Sequence, residues 1–359
     1  MKHIKGLGST VQHPYLILAV NAARDFTIGA LFLYGYIYTA YKYGGPLFGR
    51  NDFFDYKEMV GDPFNFSGTT VAPFILRQIP TIVASIFYKL GVHYDTATAI
   101  DLIGVDPDTK RRFFALILSS GVAVCLSFTI LAGYLRTKFC KFGMIEFFAL
   151  FGVFAAWFYF PNGVISPLVY AWGWLASSLF LIAFLERSLV LTCVACLIGL
   201  FSRETTVIFA LAMFSVRLLF DSDRRRSDVT SVLVLAAGSL TYLLFRKLFT
   251  SGNEHQIDPH SLINGLLSFS PSRDYIFQSF LSQGLLVLLL IGIAMKRLRY
   301  AAYLLLAAAV ITGVGIAAQE SRLALLYGET LPFYAIIFFV TQFGGLEQGP
   351  PAMPKGHGN

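Results

Sequence analysis

Apolar runs of 14 to 23 residues, parted by short polar breaks, recur along nearly the whole chain. An α-helix needs about 20 apolar residues to cross the roughly 30 Å hydrocarbon core of a bilayer, so such a chain reads as a polytopic helical membrane protein. The 359 residues are 56% hydrophobic and only 14% charged, with a mean hydropathy of +0.64. A soluble domain is nearer a quarter charged, which excludes a single soluble globule. Disordered, collagen-like and disulfide-scaffold classes fall away with it.

The runs define ten spans: Phe26–Tyr41, Phe113–Leu135, Gly143–Phe160, Pro167–Leu185, Ser188–Phe201, Thr205–Phe220, Val229–Phe249, Ile276–Met295, Tyr300–Ala318 and Leu323–Thr341. Lys and Arg outnumber Asp and Glu by 28 to 21, an excess that the positive-inside rule explains without a nucleic-acid partner. With the N-terminus inside, the inner loops hold Arg136, Lys138 and Lys141, then Arg187, Arg224 to Arg226, and Lys296 to Arg299. Met1 to Arg24 reads as a cytoplasmic arm and not a cleaved signal. Residues 1–343 form one transmembrane domain, and the Gly- and Pro-rich segment 344–359 reads as a disordered cytoplasmic tail.

Ser188–Phe220 decides the topology. A hairpin preserves the charge bias, whereas a single broken helix inverts the later loops. Its arms are short for a bilayer, so the tip at Arg203 and Glu204 is expected to sit below the membrane surface. Each buried charge there costs about 2.5–3.5 kcal/mol, so the tip must face protein or a water-filled cavity. The first outer loop, 44–112, is expected to hold a short helix over Asp52–Val60, with Asn51 as N-cap. Ala72–Leu90 is apolar but broken by Pro73, Arg77 and Pro80, and reads as an amphipathic helix at the outer interface. The fold expected is thus all-α, with about ten transmembrane helices and amphipathic interfacial helices in the first outer loop.

Four polar clusters fall on the outer face. Asp52, Asp55 and Tyr56 share one face of a helix, where the acids serve either the helix dipole or proton transfer; spacing alone leaves both open. Arg77 either snorkels to headgroups or clamps a phosphate through its fork. Arg203 and Glu204 read as a hairpin-closing pair or as part of a site, and Glu320 with Arg322 as an interfacial loop or as its far wall. Cys193 and Cys196 form a C-x-x-C inside an apolar run and read as packing residues. His255, Asp258 and His260 have metal-ligand chemistry but no fourth ligand, so no metal site is assigned and a divalent cation stays an alternative. Trp157, Trp172 and Trp174 read as interfacial-belt residues, and Asn65-Phe66-Ser67 is a glycosylation sequon.

The order of these motifs carries a resemblance. A D-x-x-x-Y spacing at Asp52 and Tyr56 is followed by Pro-Phe-x-x-Arg-x-x-Pro at Pro73–Pro80. Tyr159-Phe160-Pro161-Asn162 with Ser166, Ser202-Arg203-Glu204-Thr205, and Glu320-x-Arg322 come next. This resembles the GT-C superfamily of polytopic glycosyltransferases. The resemblance implies sugar transfer from a polyprenyl-phosphate donor to a glycan, lipid or protein acceptor on the outer, periplasmic or lumenal, face. It implies a base role for Asp52, with Asp55 as substitute, and places Tyr56, Arg77, Arg203, Glu204, Glu320 and Arg322 around the substrate. It also implies residence among membrane lipids, in a bacterial inner membrane with the active site toward the periplasm. The chain lacks the adjacent acidic pair and the large C-terminal outer domain of many members. A transporter or flippase of a lipid-linked or anionic substrate is the alternative, with a polymerase or ligase and a non-catalytic scaffold behind it.

Overall fold

The computed structural model describes residues 14–43, 53–64, 77–93, 104–138, 170–220 and 226–249. Every element among the described residues is helical: α1 (Pro14–Tyr43), α2 (Phe53–Gly61), α3 (Gln78–Lys89), α4 (Pro107–Lys138), α5 (Tyr170–Glu186), α6 (Leu189–Leu200), α7 (Glu204–Phe220) and α8 (Arg226–Phe249). Three of these, α1, α4 and α8, are long and apolar enough to cross a membrane. The chain is a helical membrane protein. The expected spans Gly143–Phe160, Ile276–Met295, Tyr300–Ala318 and Leu323–Thr341, and the tail, lie outside the described residues.

α4 is the central post. Its 32 residues make a rod of about 48 Å, longer than the hydrocarbon core requires, and α1, α2, α3 and α5 pack along it. Asp106 caps its N-terminus, accepting hydrogen bonds from the Thr109 amide at 2.9 Å and the Thr109 hydroxyl at 2.6 Å. Pro107 occupies the first helical position, where a missing N–H costs nothing. α1 runs antiparallel to α4: Asp25 meets Arg136 at one end, and the rings of Tyr41 and Phe114 meet at the other. α1 begins well before the expected Phe26, because Pro14 onward continues the same apolar helix. Residues 14–24 are therefore the helix's first turns and not a separate arm.

α5 runs parallel to α4, since Trp172 lies by Ser119 and Glu186 by Tyr134. Apolar on every side, α5 is buried from Ala171 to Phe184. Trp172 and Trp174 sit in this core, not in an interfacial belt; Trp172 donates its Nε1–H to Ser119 Oγ at 3.0 Å. A turn at Arg187, with φ of 52°, leads into α6, whose N-cap is Ser188.

α6 and α7 form the expected hairpin. α6 has 12 residues and so rises only about 18 Å. α8 packs back on both arms, with Gly238 against Cys196 and Leu200. Cys196 is buried and Cys193 partly so, and both are free thiols, as their packing role requires. Leu31 and Phe32 on α1, with Leu233, Leu240 and Leu248 on α8, are exposed among the described residues. Such outward apolar faces need no polar cover in hydrocarbon.

This topology gives the bundle two chemically distinct ends. The base holds Asp25, Arg136, Arg187, Arg217 and Asp228; the rim holds α2, α3 and the hairpin tip. Arg136 and Arg187, expected inside together, share the base, while Arg77 and Arg203 share the rim.

Candidate functional site at the rim

α2 and α3 build the rim site over the hairpin tip. The nine residues of α2 bury Tyr56, Met59 and Val60, one turn apart on a single stripe. α3 buries Pro80, Thr81, Ala84 and Ser85 and leaves Ile86 exposed. It is too short to span, as expected, yet it does not lie flat on the interface. It runs lengthwise down α4, antiparallel to it, with Tyr88 by Asp108 at the top and Pro80 by Ser119 below. Ser119 donates to the Pro80 carbonyl at 2.8 Å, fixing α3 to α4. A glycine ends α3: Gly91, at φ of 70°, bonds the Tyr88 carbonyl at 3.0 Å while Val92 bonds that of Phe87 at 3.2 Å.

The lower end of α3 is sewn to the hairpin tip. The Ile79 amide donates to the Phe201 carbonyl at 3.0 Å. Two residues earlier, Arg77 forms the centre of the site. Its Nε and Nη2 donate to the two Glu204 carboxylate oxygens at 3.1 and 2.9 Å, a bidentate fork. Its Nη1 donates to the Tyr56 hydroxyl at 2.9 Å. Arg77 is 5% exposed and Tyr56 1%, so this is a desolvated cluster and not a surface ion pair. Burial works against the charged guanidinium; the neighbouring Tyr56 and Glu204 outweigh it and hold its pKa above the ordinary arginine value.

Of the residues expected at the site, Tyr56, Arg77 and Glu204 are brought together from three segments of the chain. Arg203 adjoins them at the tip, partly buried, its amide donating to the Gly199 carbonyl at 2.7 Å. Asp55 occupies the α2 position one turn before Met59, and its side chain lies outside the described residues, as do Asp52, Glu320 and Arg322. The Asn65 sequon and the His255, Asp258 and His260 group are also outside them. Among the described residues, no three His, Cys, Asp or Glu side chains gather as metal ligands.

The expectation that a sunken tip must face protein or water is met by protein: Glu204 faces Arg77. This pairing changes what the cluster offers. Arg77 is committed to Glu204 and Tyr56, so it is not an unclaimed phosphate clamp.

A second layer above the cluster went unread in the sequence. Arg112 on α4 donates to Asp108 Oδ2 at 2.7 Å and to the Lys57 carbonyl of α2 at 2.9 Å. The Tyr88 hydroxyl donates to Asp108 Oδ1 at 2.5 Å, and that bond, with burial, raises the Tyr88 pKa. The i, i+4 spacing of Asp108 and Arg112 at a helix start was a usable signal. At the base, Arg217 is buried between Phe184 and Phe214, 4.1 and 5.0 Å from the ring centres, and pairs with Asp228. Arg187 reaches the same carboxylate at 3.0 Å. Arg217 and Asp25 each interrupt an apolar stretch, which is itself the mark of a required partner.

Compared with protein-family models, curated proteins and solved structures, the chain shows no match.

Proposed function

We propose that the protein is a membrane glycosyltransferase that moves a sugar from a polyprenyl-phosphate donor to an acceptor at the rim of the bundle, on the non-cytoplasmic side. The carrying observation is the meeting of Tyr56, Arg77 and Glu204. It joins the first extramembrane segment, which bears the candidate carboxylates, to a hairpin tip sunk toward the hydrocarbon. In this reading a phosphate on a long lipid tail is presented at the tip, and α2 supplies the carboxylate.

The chemistry needs little else. The donor sugar is already activated by its phosphate, so no nucleotide cradle is required. The acceptor hydroxyl attacks the anomeric carbon, Asp52 or Asp55 takes its proton, and the bond to the phosphate oxygen breaks. Cationic groups stabilise the charge that builds on the departing phosphate. With Arg77 bound to Glu204, that task falls first to Arg203, joined by Arg322. The continuous helices α1 and α4, with ionised pairs gathered at the bundle ends, favour rim chemistry over a translocation path, which would use helices broken at midplane.

Purified protein given a labelled polyprenyl-phosphate sugar is expected to transfer or hydrolyse it. Asp52→Asn is expected to abolish transfer while sparing donor binding. An active Asp52→Asn with a dead Asp55→Asn moves the base role three residues along, and full activity in both ends the carboxylate-base reading. Uptake into sealed vesicles without turnover identifies a transporter instead.

A further inference from the structure

α2 is gripped at two places by guanidinium groups from other helices. Arg77 holds its first half through Tyr56. Arg112 holds its second half, reaching the Lys57 carbonyl at 2.9 Å and Glu58 Oε2 at 3.4 Å. A cation against the closing carbonyls of a helix also suits the negative end of its dipole.

Arg112 is itself braced. Its Nε is held by Asp108 at 2.7 Å, and its guanidinium lies over the Tyr88 ring, 5.4 Å from the centre, while Tyr88 bonds the same Asp108. One arm is thus fixed to α3 and α4, leaving the other to fix α2. The approach is close: a Cβ added at Gly61 would stand 3.0 Å from Arg112 Nη1, tighter than ordinary contact.

Resting on the transferase reading, we infer that Arg112 is a positioning residue for the general base. It sets the place of α2, the helix that carries Asp55 and that Asp52 immediately precedes, relative to the hairpin tip. It acts through the backbone of α2 and touches no substrate.

The test compares wild type with Arg112→Ala, Arg112→Lys and Arg111→Ala in detergent, reading kcat and KM for a polyprenyl-phosphate sugar and amide hydrogen exchange across 53–61. Arg112→Ala is expected to speed exchange in α2 alone and to lower kcat by about 100-fold, the loss that a 1 Å misplacement produces, with KM for the donor unchanged. Arg112→Lys keeps the charge but loses the fork, and is expected to fall between the two; it carries the test if the alanine variant does not fold. Arg111→Ala removes an equal charge one position away and is expected to match wild type in both readouts. Faster exchange with wild-type kcat overturns the positioning role and leaves the transferase reading standing. Unchanged exchange in α2 overturns it as well. A wild type that turns over no donor overturns the transferase reading and the positioning role with it, whatever the exchange data show.

Discussion

The two ends of the bundle solve the same problem, a buried arginine, in opposite ways. At the base, Arg187 and Arg217 share the carboxylate of Asp228, and the three lie within 41 residues of one another. At the rim, Arg77 forks onto Glu204, 127 residues away, and bonds a phenol, with Arg203 near enough to act on the same carboxylate. The base cluster is local in sequence; the rim cluster is long-range. A long-range join at the rim ties the start of α3 to the tip of the α6–α7 hairpin, which only a defined tertiary arrangement produces.

Variants at the two ends test this contrast. Asp228→Ala strands two arginines, one of them 1% exposed, and is expected to be the worst, costing about 3–5 kcal/mol in reversible unfolding. If thermal unfolding in detergent instead shows no loss, the base network is ornamental. Glu204→Gln keeps shape and one acceptor beside Arg77, so a smaller loss of about 1.5–3 kcal/mol is expected. Adding Arg77→Met should recover part of it, because removing both charges removes the stranded one; a cycle with no coupling would dissolve the rim pair as a unit.

Gly199→Ala addresses the hairpin beneath both. Its new Cβ would stand 2.6 Å from a Val207 methyl, and overpacking of about 1–3 kcal/mol is expected. Tyr56→Phe removes only a hydroxyl from the Arg77 cluster and is expected to cost about 1 kcal/mol while loosening α2, as amide exchange would report. Smallest is a pH effect at the top of α4. The hydroxyl and amide of Thr109 hold the Asp106 carboxyl below the usual carboxylate range. That cap is fully present above the ordinary aspartate pKa and is lost as pH falls through the lowered value, so first-turn amides of α4 should begin to exchange faster only in acid.

Much of the scaffold was legible from hydropathy and charge. The hairpin at 188–220 emerged within three residues of its expected arms because apolar length and the positive-inside bias both demanded it. α4, α5 and α8 followed from their apolar runs for the same reason. Proline and arginine in 72–90 correctly excluded a span, but they did not reveal that α3 stands along α4, since amphipathicity names a buried face and not the surface that buries it. The start of α1 was missed because Arg24 and Asp25 look like the end of a polar arm. They belong inside the helix once Arg136 supplies the counter-charge. Trp172 and Trp174 were placed by composition habit, whereas Ser119 gives Trp172 a partner deep in the core.

The sequence by itself determined that this chain is a bundle of membrane helices with a short hairpin. Those properties follow from local runs of apolar residues and from the cost of putting charge in hydrocarbon, both additive along the chain. Only the tertiary structure decided that Arg77 belongs to Glu204 and Tyr56, and that Arg112 reaches back to α2. Pairing across more than a hundred residues depends on where helices stand beside one another. Hydropathy carries no record of that, because any apolar face satisfies it equally well, while a guanidinium fork accepts one geometry alone.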